Sequence, residues 1–367
     1  DNIFSKTNYL YNSNDWNFSS LDDVIADIVS KIYFLEFRSM FLYFKIGTIT
    51  DYTLGNGLLI NGYANDIFYP FGKITGGVLK VETPAAGLEG FVNNIASLEV
   101  IGARAYLRPL FFLPFIGKWS LGISSFVDRK PSYSSNTTNV FGYSLDFDFP
   151  FLDFKFLGLG IFGGIGGMGY STNLLTGFGV NGGFKGNIFM VFFRLEYKNS
   201  FGGFLPDYVN KTYEVDRFKK FEVISSFSHA SFLSDIYNLN NIYHGVINEV
   251  GFNLTNIARF SISYTHFFKF GENLQNNFLN SLHIEGTLYK SFIKKVYFTV
   301  SYDRSNFYLD DLFVNFTGGG SLISFEVFYQ LIDRLYIGVN YRKFFEGMSG
   351  SEVKEKDLYG LRIEVSF

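Results

Sequence analysis

Cysteine is absent from the 367 residues, which excludes disulfide staples and thiolate metal sites and says little about redox compartment. Neither sign of charge is in excess: 31 basic and 34 acidic residues leave a net charge of −3. Such a balance gives no field for nucleic acid, and no stripe of alternating aromatic and basic residues stands in for one. Proline is scarce, at 7, and histidine scarcer, at 4. What the chain does have is aromatic residues and glycine: 47 Phe, 25 Tyr and 38 Gly. That mixture disfavours disorder, which goes with few aromatics, and disfavours helices, which glycine weakens. Phe and Tyr fit pleated surfaces, and Gly in a strand marks a bend or a close approach of backbones. The chain opens at Asp1 without a basic stretch followed by an apolar one, so it reads as a mature chain whose export signal, if there was one, has been removed.

Phe156–Phe184 carries no charge and is long enough for a membrane helix, but it holds eleven glycines. At roughly 1 kcal/mol per Gly relative to Ala, a helix there is heavily penalised. Ser171-Thr172-Asn173 is a good turn, so two Gly-rich strands joined there fit better.

Period-2 alternation is the main signal. Phe141, Tyr143, Leu145, Phe147 and Phe149 alternate with Gly142, Ser144, Asp146 and Asp148. Phe193, Leu195 and Tyr197 oppose Arg194, Glu196 and Lys198; Val296, Phe298, Val300 and Tyr302 oppose Tyr297, Thr299, Ser301 and Asp303. The same holds for Ile323–Gln330, for Leu335–Arg342 and for the final run, where Tyr359, Leu361, Ile363, Val365 and Phe367 share one face. A β-sandwich also alternates, but these segments are long, numerous and bracketed by aromatics, as at Tyr341, Phe344 and Phe345. Tilted strands crossing a bilayer between aromatic girdles account for all three properties. The fold expected is therefore all-β: a transmembrane antiparallel β-barrel.

The final run resembles the terminal strand of bacterial outer-membrane β-barrel proteins, porin-like ones among them, which commonly ends in Phe behind alternating apolar residues. The resemblance covers about ten residues specifically and the rest by strand pattern only. It implies a place in the bacterial cell outer membrane, contact with outer-membrane lipid, and an encounter with the barrel-assembly machinery through Tyr359, Leu361, Ile363, Val365 and Phe367. With Phe367 at the periplasmic side, outside loops fall near 346–356, 305–319, 270–278, 230–242 and 201–211, and inside turns near 333, 291–294 and 254–256. Keeping that parity requires Thr212–Phe218 to be a strand, which gives 16 strands from Ile74 onward, within a range of 14 to 18. Residues 1–38 read as a separate N-terminal segment and 39–367 as the barrel; apolar residues from Leu21 to Ile32 predict a helix near 20–33, either plugging the lumen or closing the barrel end. Met40–Ile49 reads as a further strand, and Gly55–Tyr63 as a short strand or an inward-folded loop.

Chemistry-bearing motifs are few. Gly158-Leu-Gly160-Ile-Phe-Gly163 matches a dinucleotide fingerprint by letter but lacks the helix and the later acid. His229 and Ser231 share a face without an orienting partner, His283 and Glu285 are two ligands where a metal needs more, and Asp310-Asp311 reads as a solvated pair. No enzyme, cofactor or metal is expected. The inward faces hold both signs: Arg104, Arg108, Lys155, Arg194, Lys198, Arg259, Arg342 and Arg362, with Asp146, Asp148, Glu196, Glu285, Glu326 and Glu364. Charges in a dry interior cost several kcal/mol unless paired, so these residues imply water or cross-lumen ion pairs. A channel for passive diffusion of small hydrophilic solutes is the leading expectation. A transporter of an apolar substrate such as a fatty acid, with an N-terminal hatch, and a surface-binding barrel are its competitors.

Overall fold

The computed structural model describes residues 34–67, 74–113, 116–131, 138–154, 156–171, 173–225, 242–269, 280–305, 307, 316–333, 335–347 and 353–366. The helix expected near 20–33, residues His229, Ser231, Asp310 and Asp311, and Phe367 lie outside them, as does Lys155. A first hairpin of β1 (Phe34–Arg38) and β2 (Leu42–Gly47) leads to an inward segment with the two-residue β3 (Ile60–Asn61). There follow β4 (Gly76–Glu82), β5 (Ala86–Val92), β6 (Val100–Leu107), β7 (Ser120–Asp128), β8 (Val140–Phe154), β9 (Leu157–Tyr170), β10 (Asn173–Ile188) and β11 (Val191–Gly202). A second inward excursion carries β12 (Val209–Asn210) and the helix α1 (Tyr213–Ser225). The chain ends in β13 (Ile242–Leu254), β14 (Ala258–Lys269), β15 (Ser281–Ile293), β16 (Val296–Ser305), β17 (Ser321–Ile332), β18 (Leu335–Gly347) and β19 (Val353–Ser366).

All strands except β3 and β12 belong to one 17-stranded sheet. Successive strands pair antiparallel, and β1 pairs with β2 on one side and, parallel, with β19 on the other (Phe34↔Glu364 to Glu36↔Ser366). The order of pairings therefore returns to its start, and this parallel seam is what an odd strand number requires of an up-and-down barrel.

Alternation sets the two faces. Along β7 every second residue is buried, from Ser120 to Asp128, while Leu121, Ile123 and Val127 are exposed; β8 exposes Tyr143, Leu145 and Phe147 and buries Gly142, Ser144 and Asp146. The outward face is thus apolar and the inward face polar or small, the arrangement a lipid-facing wall needs. Exposed phenylalanines (Phe154, Phe156, Phe189, Phe252 and Phe292) gather at the end with the tight turns, where Phe156 stacks on Phe189 at 6.1 Å. Among the described residues no helix is long and apolar enough to cross a membrane.

Glycine serves the wall where rings lie across it. A Cβ on Gly142 would collide with the ring of Phe126, and one on Gly338 with Phe328. The Gly-rich run at 158–163 lies within β9 and pairs with both β8 and β10, so its backbone groups are occupied by the sheet and cradle no phosphate.

Three expectations change. Thr212–Phe218 is no strand: Asp216 N–H donates to Thr212 O at 2.9 Å, the first turn is acidic at Glu214 and Asp216, and Glu214 pairs with Arg217 one turn on. Parity survives without it because the excursion between β11 and β13 leaves and returns at the same end of the barrel. From Ile74 onward the sheet then has 15 strands rather than 16, and β1 and β2 bring it to 17. The wall also begins at Phe34 rather than at residue 39, because Phe34–Arg38 finds partners on both sides.

Candidate functional site

Two inward segments divide the lumen. The first, 48–67, turns at Gly55 and Gly57, whose φ of +61° and +78° a side chain would strain. It is held as a folded-back loop by mutual bonds between Tyr52 and Tyr63 and by Asn65, which accepts from Ile49 N–H at 2.7 Å. The second, 203–225, lays β12 parallel to β3 and sets α1 beside them. Their apolar residues (Leu54, Leu58, Leu59, Ile60, Phe204 and Tyr208 among them) form one buried cluster with Val78, Phe91, Val100, Phe126, Val140 and Met168 of β4–β9. The inward segments thus fill the lumen beside β4–β9 with an apolar core.

Buried polar groups lock that core. Glu214 accepts from Tyr63 Oη at 2.5 Å, from Asn93 at 3.3 Å and from Arg217 at 2.8 Å, and Arg217 also reaches Glu99 at 2.8 Å. Tyr208 donates to Asp128 at 2.7 Å, as does Tyr213. Burial first, then the neighbouring Asp128, pushes the phenols of Tyr208 and Tyr213 well above their usual range, so they stay protonated donors. Lys220, buried and bonded to Tyr208 O at 2.9 Å and Asn210 at 2.6 Å, is pushed down to about 8 by burial.

Most inward charges predicted from sequence are spent on ion pairs. Arg104 holds Asp146 at 2.6 Å and Glu89 at 3.2 Å. Glu196 lies 2.6 Å from Arg194 and 3.3 Å from Lys198, and Lys198 reaches Asp207 of the second segment at 2.6 Å. Arg342 ties Asp66 of the first segment to the wall and lies 3.3 Å from Glu326. Asp148 pairs with Lys185, and Arg108, at the turn end, with Glu82 at 2.5 Å. In β19, Arg362 lies opposite Gly338 and Glu364 opposite Tyr336, while Tyr359, Leu361, Ile363 and Val365 fall opposite Tyr341, Val339, Ile337 and Leu335.

On the side of β13–β16 the described residues leave a cavity of about 310 Å³, which runs between the inward segments and the wall of those strands. Its lining is hydroxyl-rich (Thr50, Thr53, Ser261, Ser263, Thr265 and Ser281) and includes Arg259 and Glu285 from the sequence-predicted set. Across it Lys211, from the second segment, meets the wall: Asp303 Oδ1 accepts from Lys211 Nζ at 2.9 Å and from His283 Nδ1 at 2.7 Å. His283 Nδ1 also lies 3.2 Å from Lys211 Nζ, and its Nε2 faces Glu285 at 3.8 Å. Burial alone would lower Lys211, but Asp303 outweighs it and holds the ammonium charged. Sequence reasoning placed Asp303 on the polar face of its strand but not in the site. Lys211, Asp66, Glu214 and Arg217 carried no periodic signal, since each sits in an inward segment rather than a strand. His283 and Glu285 do come together, and among the described residues no group of three or more side chains could hold a metal.

No family model matches the sequence, and no curated protein matches it. Solved structures give distant likenesses. A mutant of the Rhodopseudomonas blastica porin is 6% identical with a TM-score of 0.32, covering 82% of this chain and 95% of that one. A second mutant of that porin is 5% identical at 0.33, with the same coverage. A double mutant of the Serratia marcescens hemophore receptor HasR, in complex with its hemophore HasA and heme, is 10% identical at 0.34, covering 88% of this chain and 66% of that one. The β-barrel itself rests on this chain's own pairings, which run through the 17 strands of the large sheet and back to β1.

Proposed function

We propose that the protein is a bacterial outer-membrane channel that passes small hydrophilic solutes along one side of a half-filled lumen. The observation that carries this reading is the hydroxyl-rich cavity of about 310 Å³ between the inward segments and the β13–β16 wall. Hydroxyls and charged side chains along one wall keep such a space wetted. The apolar outward face and the phenylalanine girdle support contact with outer-membrane lipid, and the alternation at Tyr359–Phe367 supports recognition by the barrel-assembly machinery. The reading asks for no enzyme activity, nucleic acid or cofactor. Transport of an apolar substrate is the weaker reading, because the open path offers hydroxyls and charges and the apolar residues are buried in the core. Conductance of purified protein in planar bilayers tests the proposal: discrete steps are expected, and a folded, inserted protein giving none would overturn it.

A further inference from the structure

Resting on the channel reading, we infer that the open half of the lumen selects for cations, with Asp51, Glu249 and Glu285 as the selecting carboxylates and solutes bearing protonated amines as the favoured class. The cavity's lining carries acids and bases in similar number, but they are not equally engaged. Arg194 lies opposite Glu249 in the β11–β13 register yet turns to Glu196 at 2.6 Å and to the carbonyl of Asn56 at 2.6 Å. Lys211 is taken by Asp303, Asp207 by Lys198, and Arg304 lies over the ring of Phe307 at 5.4 Å. What is left facing the cavity is Asp51 and Glu249, neither with an ion pair among the described residues, and Glu285, whose nearest partner is His283 at 3.8 Å. Against them stand two guanidinium groups, Arg259 over Phe192 at 5.0 Å and Arg304 over Phe307, whose charges a ring contact leaves in place.

A second observation points the same way. Asp303 lines the cavity and is 7% exposed; its Oδ1 takes both protein donors, while Oδ2 accepts no hydrogen bond. That oxygen is closed off from direct contact with a solute, so Asp303 contributes negative potential to the cavity rather than a ligand atom. The pairs that anchor the inward segments take wall cations and wall acids alike, while Asp51, Glu249 and Glu285 stay outside them on the cavity side.

Reversal potentials of single channels in a KCl gradient test this, with the wild type expected to favour K⁺ over Cl⁻ on the order of tenfold, as focusing of one charge sign in a low-dielectric cleft provides. The Asp51→Asn, Glu249→Gln, Glu285→Gln triple variant should lose most of that preference while keeping its conductance steps. Liposome swelling should then show lysine entering the wild type faster than glutamate, with the difference collapsing in the variant. Steps without cation preference, or a preference unchanged in the triple variant, would overturn the inference and leave the channel reading standing. Absence of steps in the folded wild type would overturn both.

Discussion

The two halves of this lumen are built on different terms. Beside β13–β16 the wall strands run to 13, 12, 13 and 10 residues, and the interior facing them is open and hydroxyl-rich. Beside β4–β7 the strands have only 7, 7, 8 and 9 residues, and the interior is packed. A seven-residue strand tilted by about 45° rises roughly 16 Å, short of the apolar band of about 25 Å that such barrels present to lipid. Along β4–β7 side chains inside the barrel thus add to a short ladder, whereas along β13–β16 the longer ladder borders the cavity. Strands β8 and β9, at 15 and 14 residues, also border the core, so length alone does not set the division.

The most severe way to break this contrast is Arg217→Ala. It strands Glu214 and Glu99 beside a buried core, and losing one member of a buried pair costs about 3–5 kcal/mol. The second segment should loosen, seen as larger single-channel conductance and a lower urea midpoint. Tyr63→Phe removes only the hydroxyl given to Glu214, so a loss of about 1.5–3 kcal/mol is expected from the same titration, with conductance little changed. Next comes pH. The amine of Lys220 is lowered to about 8 in the folded chain against 10.5 when exposed, so the unfolded state binds the extra proton between those values. The penalty for the buried ammonium is thus full and constant below about 8 and is relieved as pH climbs from there towards 10.5, so stability should rise across that window; Lys220→Met should flatten that rise. Smallest of all, Ser263→Ala in the open half should move stability by no more than about 0.5 kcal/mol, measured by the shift in denaturation midpoint.

The wall was legible in the sequence because a period of two survives wherever one side of a strand meets lipid and the other a lumen. Tyr143, Leu145 and Phe147 against Ser144 and Asp146 declare their faces without any tertiary information. The inward segments do not declare themselves. Leu58-Leu59-Ile60 and Phe204-Leu205 are as apolar as a membrane strand, and only contact with Phe126 and Val140 from distant strands makes them core. The helix was misread for a reason of geometry: parity counts crossings, and an excursion that never crosses is invisible to it. Its own signals, Thr212 ahead of an acidic first turn and Glu214 three residues before Arg217, were present but outweighed by the count. The inward charges were placed by alternation, whereas their partners Asp66, Asp207 and Lys211 come from loops whose direction no periodicity encodes.

The parallel seam bears on how the molecule comes to exist. β18 and β19 share thirteen residue pairs and are neighbours in the chain, so they can zip together as they emerge. β1 and β19 share three pairs, made by residues as far apart in sequence as the described chain allows. The other rungs of the wall join strands that follow one another in the chain, with inward segments between β2 and β4 and between β11 and β13. This one must wait for all the rest, at the highest loop-closure entropy in the molecule and for the smallest return in hydrogen bonds. On loop-closure cost alone, closure at this seam is expected to follow the growth of the rest of the wall.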